Sequence, residues 1–176
     1  YKTSNSFWYM TGVIFDLDQT IIDSSSAEAE RKNRNWAGVY QMIPNFILYD
    51  GMRQVLDWLQ SEGFTICIVT SSPETYCKKV LSYWKIPHSH TVCYHDTKNR
   101  KPHPDPMHRA LELMKLHSSK VLSLGDRDID LISSHSAGIQ TVACLWGADD
   151  TAALLQANPT FTAKHPTEIQ SIISQR

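Results

Sequence analysis

Five short apolar runs rich in β-branched residues recur along this chain, and a segment with helical periodicity separates each run from the next. The runs lie at residues 12–15, 65–69, 91–94, 121–124 and 141–145. Strands buried on both faces have this continuous apolar character, and their alternation with helices favours a parallel sheet covered on both sides. The pattern therefore predicts an α/β fold, a three-layer αβα sandwich around a mainly parallel five-stranded sheet.

Helical patterns fill the segments between these runs, at residues 27–40, 52–61, 73–84, 104–116, 129–137, 151–156 and 167–174. Pro73 and Pro104 suit the first turn of a helix, where the missing amide hydrogen is not needed. Gly63 and Gly138 stand where two helices should end, directly before the second and fifth strands. The positions of these prolines and glycines thus agree with the alternation of strands and helices.

Length and charge limit the class of protein. At 176 residues the chain has the size of one domain with a buried core, so we predict a single domain over residues 1–176. The net charge of -1 lacks the basic excess of proteins that bind nucleic acid or anionic membranes. No apolar run reaches the ~20 residues of a membrane span, and the N-terminus lacks a basic-then-apolar signal. We predict a cytoplasmic protein that binds neither nucleic acid nor membrane.

Four cysteines are scattered without a C-x-x-C pair: Cys67, Cys77, Cys93 and Cys144. Buried, reduced thiols are the favoured interpretation. Cys93 also lies among His88, His90 and His95, which are metal-ligand types at short spacing. In a strand over residues 91–94, His90 and Cys93 would face opposite sides, so a loop and strand are favoured over a structural zinc site. Whether this group binds a metal stays open.

Two carboxylates follow the first apolar run. Asp16 and Asp18 would point the same way in extended backbone, and like charges this close need a cation between them or a bound proton. Mg²⁺ suits oxygen ligands, and an aspartate beside a phosphate on that ion can attack phosphorus while the second aspartate acts as acid and base. An acidic, solvated turn is the alternative on this pattern alone.

The other strand ends also carry chemistry, and ligands of open parallel sheets bind beyond the carboxyl ends of the strands. Thr70 and Ser71 offer hydroxyls and amides for an anion or for a helix cap. Lys101, fixed between prolines, could neutralise a phosphate, although a lone loop lysine is usually solvated. Asp126 and Asp130 lie one helical turn apart and could face one cation or cap a helix.

Four motifs occur in order along the chain: Asp16-x-Asp18-x-Thr20, Thr70 after an apolar strand, Lys101-Pro-x-Pro, and Gly125-Asp126-x-x-x-Asp130 followed by Ala137-Gly138. Together they resemble the four motifs of the haloacid dehalogenase superfamily, phosphatase branch, with a phosphoglycolate-phosphatase-like core, over about residues 12–147. The resemblance implies a Rossmann-like core and Mg²⁺-dependent phosphoryl transfer through an aspartyl-phosphate.

The resemblance also implies roles for individual residues. Asp16 would be the nucleophile and Asp18 the general acid and base, with its backbone carbonyl facing the metal. The implied catalytic residues are Asp16, Asp18, Thr70 and Lys101. The implied phosphate-binding residues are Thr20, Thr70, Ser71 and Lys101. The implied metal ligands are Asp16, Asp18, Asp126 and Asp130.

Within the superfamily, a carboxylate at the position of Asp18 is typical of phosphatases and phosphomutases and disfavours carbon–halogen cleavage. Gln19 and Ser71 depart from the pattern, since glycine and asparagine are more usual there. The first hypothesis is a phosphatase hydrolysing phosphate monoesters. A phosphomutase and a catalytically silent phosphate-binding module are the alternatives, and a mutase must exclude water from its aspartyl-phosphate.

Residues 24–50 are too few for the helical cap of ~60 or more residues that small-molecule phosphatases of the superfamily usually insert. We predict a short helical insert and an open site, suited to a bulky phosphorylated substrate such as a protein or polymer end, or to a homo-oligomer. Arg31, Arg34 and Trp36 lie on the predicted insert helix. A solvated face is the main interpretation for them, and contact with substrate or a partner is the alternative.

Overall fold

A six-stranded parallel sheet forms the centre of the computed structural model, which describes residues 9–175. The strands of the chain are β1 Gly12–Phe15, β2 Ile22–Asp23, β3 Ile47–Leu48, β4 Thr65–Val69, β5 His90–Val92, β6 Val121–Gly125, β7 Gln140–Cys144 and β8 Phe161–Ala163. The central order is β5-β4-β1-β6-β7-β8, and β2 and β3 form a separate antiparallel pair. Sequential strands therefore spread to both sides of β1, which makes its carboxyl end the switch point where ligands bind in such sheets.

Helices cover both faces of this sheet. They are α1 Glu28–Lys32, α2 Trp36–Met42, α3 Met52–Ser61, α4 Glu74–Tyr83, α5 Asp105–Met114, α6 Asp128–Ser136, α7 Thr151–Gln156 and α8 Glu168–Ser174. Alternate residues of β1 enter different cores: Phe15 packs with Leu56 of α3, whereas Ile14 packs with Met107 and Ala110 of α5. The predicted three-layer α/β fold is confirmed.

The structure differs from the predictions in the number of strands and in the single helix over residues 27–40. The predicted five strands omit β8, a three-residue edge strand between Pro159 and Pro166 that is too short to show a pattern. The single helix predicted over residues 27–40 is wrong, because α1 ends at Lys32 and Arg34 takes a left-handed φ of 55°. Asn35 then starts α2, its side-chain oxygen accepting a hydrogen bond from the Gly38 amide.

Other local predictions agree with the structure. Gly63 and Gly138 adopt positive φ values of 79° and 76° after α3 and α6. All four cysteines are free and buried. Among residues 9–175, no helix combines the length and apolar character of a membrane span. Residues 1–8 and 176 of the predicted domain, including most of the N-terminal segment searched for a targeting signal, lie outside the described residues.

Residues 24–50 pack on the core mainly through α2 and the turn that follows it. Val39, Ile43 and Phe46 are buried in the main core cluster. The indole of Trp84, just after α4, donates a hydrogen bond to the Ile43 carbonyl at 3.1 Å, and the Trp36 ring lies 5.7 Å from the Tyr76 ring on α4. This segment is therefore fixed against α4 beside the carboxyl ends of the strands.

Candidate active site

Three strand ends bring the predicted site residues together. The Asp16 amide donates to the Leu124 carbonyl at 3.0 Å, and the Thr70 amide donates to the Val92 carbonyl at 2.9 Å, so both residues extend the hydrogen-bond ladder past β1 and β4. Asp126 follows β6 directly. Because β4, β1 and β6 are neighbours, these side chains meet at the switch point of the sheet.

Lys101 reaches this edge from the loop between β5 and α5, and its ammonium is buried. Its three hydrogen bonds go to Asp16 Oδ1 at 3.2 Å, Asp130 Oδ1 at 2.8 Å and the Val69 carbonyl at 2.8 Å. An ammonium has three donors, so all of them are used within the protein. Burial would lower the pKa of Lys101, but Asp130 and Asp16 outweigh burial and raise it, which keeps the side chain cationic.

The buried carboxylates outnumber this cation. Burial, followed by repulsion from Asp130, raises the pKa of Asp16 to about 6. Burial, followed by repulsion from Asp16 and Asp130, raises the pKa of Asp126 to about 10. Three acids facing one ammonium hold excess negative charge unless they bind a proton or a further cation. The electrostatics of the cluster therefore call for a bound proton or a further cation beside Lys101.

The donor set fits Mg²⁺. Among the described residues, the one group of three or more metal-binding side chains is Asp16, Asp126 and Asp130, whose ligand atoms all lie within 4.8 Å of one another. Carboxylate oxygens are the ligands that Mg²⁺ prefers. Asp130 is already engaged, since Oδ1 accepts from Lys101 and Oδ2 accepts from the Arg127 amide at 3.1 Å. This arrangement suits a role for Asp130 in support of the ligands Asp16 and Asp126.

Of the predicted phosphate-binding residues, Thr70, Ser71 and Lys101 line the cleft, whereas Thr20 is buried beneath it. The buried Thr70 hydroxyl accepts a hydrogen bond from the Ser72 amide at 3.1 Å, and Ser71 is exposed on the wall of the cleft. Thr20 is fully buried and donates instead to Asp126 Oδ1 at 3.1 Å. The structure thus places Thr20 behind the predicted metal ligand, away from the cleft surface where a phosphate would lie.

Asp18 is not part of the group of three metal-binding carboxylates, and its side chain is held by four residues. Oδ1 accepts from Tyr76 at 2.5 Å, from Ser24 at 2.6 Å and from Arg31 at 2.8 Å, whereas Oδ2 accepts from Ser72 at 3.3 Å. Burial would lower the pKa of Arg31, but Asp18 and Tyr76 outweigh burial and raise it. The main prediction for Arg31, a solvated face, is wrong.

Sequence reasoning missed the other partners of Asp18. Tyr76 lies on the buried face of α4, where a hydroxyl among apolar neighbours needs a hydrogen-bond partner. This need for a hydrogen-bond partner was the signal in the sequence that could have identified Tyr76. Ser24 and Ser72 carry no comparable signal, since serines near a strand end or before a helix are common caps.

A cleft of about 1050 Å³ opens above these residues. Its floor includes Asp16, Lys101 and Asp126. The insert contributes one wall, and the loops after β4, β5, β6 and β7 form the rest. The wall residues include Arg31, Arg34, Trp36, Ser71, Tyr94, His95, Arg127 and Asp149. The site is therefore a wide cleft bordered by both cationic and aromatic side chains.

Comparison with known proteins identifies the family. The model of the haloacid dehalogenase-like hydrolase family matches residues 30–144, which include Thr70, Lys101, Asp126 and Asp130. The chain belongs to this family of hydrolases, and the predicted superfamily is confirmed.

Individual relatives are more distant. Phosphoglycolate phosphatase of Mannheimia succiniciproducens is 26% identical over 128 residues, covering 72% of this chain and 57% of the relative. Pyrophosphatase PpaX of Bacillus mycoides is 27% identical over 129 residues, covering 72% of this chain and 60% of the relative. The chain thus spans less than two thirds of the length of these two relatives.

Solved structures share the fold. A Haemophilus somnus protein described as a predicted phosphoglycolate phosphatase superposes with a TM-score of 0.82 at 20% identity, covering 93% of this chain and 98% of that one. A subfamily IA hydrolase of the same superfamily from Geobacter sulfurreducens gives a TM-score of 0.78 at 20% identity, covering 97% and 100%. At this identity, the similarity establishes the α/β architecture.

Proposed function

We propose that this protein is a Mg²⁺-dependent phosphatase that hydrolyses phosphate monoesters through an aspartyl-phosphate on Asp16. The observation that carries the proposal is the cluster of Asp16, Lys101, Asp126 and Asp130 at the switch point, with Asp18 beside it on the cleft wall. Nucleophile, cation and acid–base group are thereby available to one substrate. The names of the phosphatase relatives agree with this assignment.

The residues divide the reaction into two steps. An Asp16 carboxylate oxygen attacks phosphorus, the bond to the ester oxygen breaks, and Asp18 gives that oxygen a proton. Water then attacks phosphorus, Asp18 takes its proton, and the bond to Asp16 breaks to release phosphate. Thr70 would donate its hydroxyl hydrogen to the phosphoryl group. Lys101 neutralises Asp16 and could turn toward the phosphate once Asp16 carries it.

Asp16 and Asp126 would hold Mg²⁺, with Asp130 in support and the Asp18 carbonyl as a further oxygen ligand. When bound, the ion supplies positive charge that offsets repulsion between the nucleophile and the phosphate. Thr20 would keep Asp126 in place through its buried hydrogen bond. In this assignment Thr20 supports a metal ligand, in contrast to the phosphate contact expected from the motif alone.

The substrate we propose is a phosphorylated compound larger than phosphoglycolate, such as a nucleotide, a phosphorylated protein or a polymer end. The cleft of about 1050 Å³ matches the upper range of pockets that enclose drug-sized ligands. The short helices α1 and α2 stand where the superfamily usually carries a full cap, so we propose a single domain with a minimal insert over residues 24–50. A homo-oligomer covering the cleft is the other arrangement that we propose to test.

Phosphate release from an aryl phosphate, measured with Mg²⁺ and with EDTA, tests the proposal. We expect activity with Mg²⁺ that falls to background with EDTA and in Asp16→Asn, because the amide is not a nucleophile. Asp57→Asn on the exposed side of α3 is the matched control and should retain full activity. Turnover that survives Asp16→Asn would refute the assigned nucleophile. Isomerisation of a sugar phosphate without phosphate release would favour the mutase instead.

A further inference from the structure

The two oxygens of Asp18 have unequal surroundings. Oδ1 accepts three short hydrogen bonds, from Ser24 at 2.6 Å, Tyr76 at 2.5 Å and Arg31 at 2.8 Å. Oδ2 accepts one long hydrogen bond, from Ser72 at 3.3 Å. Hydrogen bonds to a carboxylate are strong and directional, so three donors on one oxygen fix the rotation of the whole group. The anchored oxygen is Oδ1, and the oxygen left for another partner is Oδ2.

We propose that Arg31 and Tyr76 are positioning residues that anchor Asp18 through Oδ1 and leave Oδ2 available to the ester oxygen of the substrate. The inference rests on the proposed function, in which Asp18 transfers the proton. Neither residue needs to touch the substrate for this role.

Tyr76 is a rigid anchor. Its side chain is fully buried on α4, and the Trp36 ring packs against it at 5.7 Å. Burial, followed by the nearby Asp18 charge, raises the pKa of Tyr76, so the phenol keeps its hydrogen and donates it. A buried ring on a helix has little freedom, and its hydroxyl therefore defines one position for Oδ1.

Arg31 provides the second anchor, from the insert. The two side chains of the Arg31–Asp18 ion pair are only 17% and 15% exposed, so solvent screens the pair less than it screens a surface pair. Arg31 lies on α1, whereas Tyr76 lies on α4 of the core. Asp18 is thus held between the insert and the core, which gives the short insert a part in orienting the acid–base group without a mobile cap.

The contribution of proton transfer can be isolated by the leaving group of the substrate. An aryl phosphate with a nitro group leaves as a stable anion and needs little help from an acid, whereas an alkyl phosphate needs the proton. We expect Tyr76→Phe and Arg31→Met to lower the single-turnover rate of ester cleavage by about tenfold for the alkyl ester and by less than about twofold for the aryl ester, because this rate excludes the later hydrolysis step that both esters share. Tyr83→Phe on the exposed side of α4 and Arg109→Gln on α5 are matched controls and should match the wild type for both esters.

The same substitutions in an Asp18→Asn background test whether they act through Asp18. There the single-turnover rate of aryl ester cleavage should be the same with and without Tyr76→Phe, because the group being positioned no longer transfers a proton. Equal losses for the two esters, or a full additional loss in the Asp18→Asn background, would overturn the proposal. A wild-type enzyme that cleaves neither ester would instead overturn the proposed function.

Crystal structures of the variants provide a readout that does not depend on turnover. In Tyr76→Phe, which removes a single oxygen atom, the Asp18 carboxylate should rotate or become disordered while the Lys101 contacts stay unchanged. In Arg31→Lys, the Asp18 carboxylate should be better ordered than in Arg31→Met, because lysine keeps the positive charge. It should be less ordered than in the wild type, because lysine lacks the planar fork of arginine. An Asp18 carboxylate in its wild-type orientation in both Tyr76→Phe and Arg31→Met would contradict the positioning role.

Discussion

The buried acids of the site make the stability of the metal-free protein depend on pH. The pKa values of Asp16 and Asp126 are raised to about 6 and about 10, so the folded state holds protons that the unfolded state releases above about pH 4. This contribution to stability is present at low pH and is lost as pH rises through those folded values. We expect Asp126→Asn to raise the Tm of EDTA-treated protein, and the increase should be larger at about pH 9 than at about pH 5.

Thermal unfolding followed by circular dichroism at these two pH values measures the difference, and Asp57→Asn is the control for loss of a surface charge. Adding Mg²⁺ should raise the Tm of the wild type most at the higher pH, because the cation stabilises the ionised acids. A Tm difference between Asp126→Asn and wild type that does not vary with pH would contradict the assigned pKa values.

Thr20 supports the metal ligand Asp126 in the proposed site, because its buried hydroxyl contacts that carboxylate. Thr20→Val keeps the shape of the side chain but removes the hydrogen bond to Asp126 Oδ1. Groups that hold a metal ligand in place typically contribute a factor of 10–100 to metal affinity, so we expect the apparent Mg²⁺ affinity to fall by at least about tenfold. A Mg²⁺ titration of activity measures this, with Thr75→Val on the exposed side of α4 as control. Unchanged Mg²⁺ affinity together with a raised KM would favour the original phosphate-binding prediction.

At the scale of the structural elements, the loop after β7 packs tightly against the loop that carries Asp16 and Asp18. A Cβ added at Gly147 would lie 1.9 Å from the Gln19 carbonyl oxygen, which is backbone and cannot rotate away. We expect Gly147→Ala to push the two loops apart and to lower the free energy of unfolding by about 1–3 kcal/mol. Urea denaturation measures this value, and kcat should fall as well because Asp18 moves with Gln19.

Gly38 in α2 provides the matched control for Gly147→Ala. A Cβ there meets mainly the Asn35 side-chain amide at 2.7 Å, which can shift, and alanine favours a helix over glycine. Gly38→Ala should therefore change the free energy of unfolding by less than about 1 kcal/mol. If both variants proved equally stable, the close approach of the two loops would not constrain the site.

The elements also show which parts of the structure local sequence patterns could reveal. β1, β4 and α3 were predicted with their observed bounds, because continuous apolar runs and amphipathic periodicity are local signals. The break between α1 and α2 depends on a left-handed φ at Arg34, a residue type that rarely signals one. The pairing of Arg31 with Asp18 depends on that break and on packing against α4, so it could be found only in three dimensions.

At the scale of the whole molecule, both the core and the insert over residues 24–50 line the cleft. The strand ends supply the acids and the loop between β5 and α5 supplies Lys101, while α1 supplies the cation that holds Asp18. The motifs therefore revealed the chemistry of the core, since each lies at a strand end or in the loop that follows a strand. The width of the cleft depends on how residues 24–50 pack, and this is what bears on the choice of substrate.

That width predicts a preference for large phosphate esters. Remote parts of a substrate contribute binding energy only where the enzyme can contact them, and a cleft of about 1050 Å³ leaves phosphoglycolate with few such contacts. Among phosphoglycolate, pyrophosphate, a sugar phosphate, a nucleotide and a phosphopeptide, we expect one of the last two to show a kcat/KM at least about tenfold above that of phosphoglycolate. Tyr94→Ala at the cleft wall should reduce that advantage, whereas Tyr83→Ala, outside the cleft, should preserve it. Highest kcat/KM for phosphoglycolate, unaffected by Tyr94→Ala, would show that the outer cleft does not select the substrate.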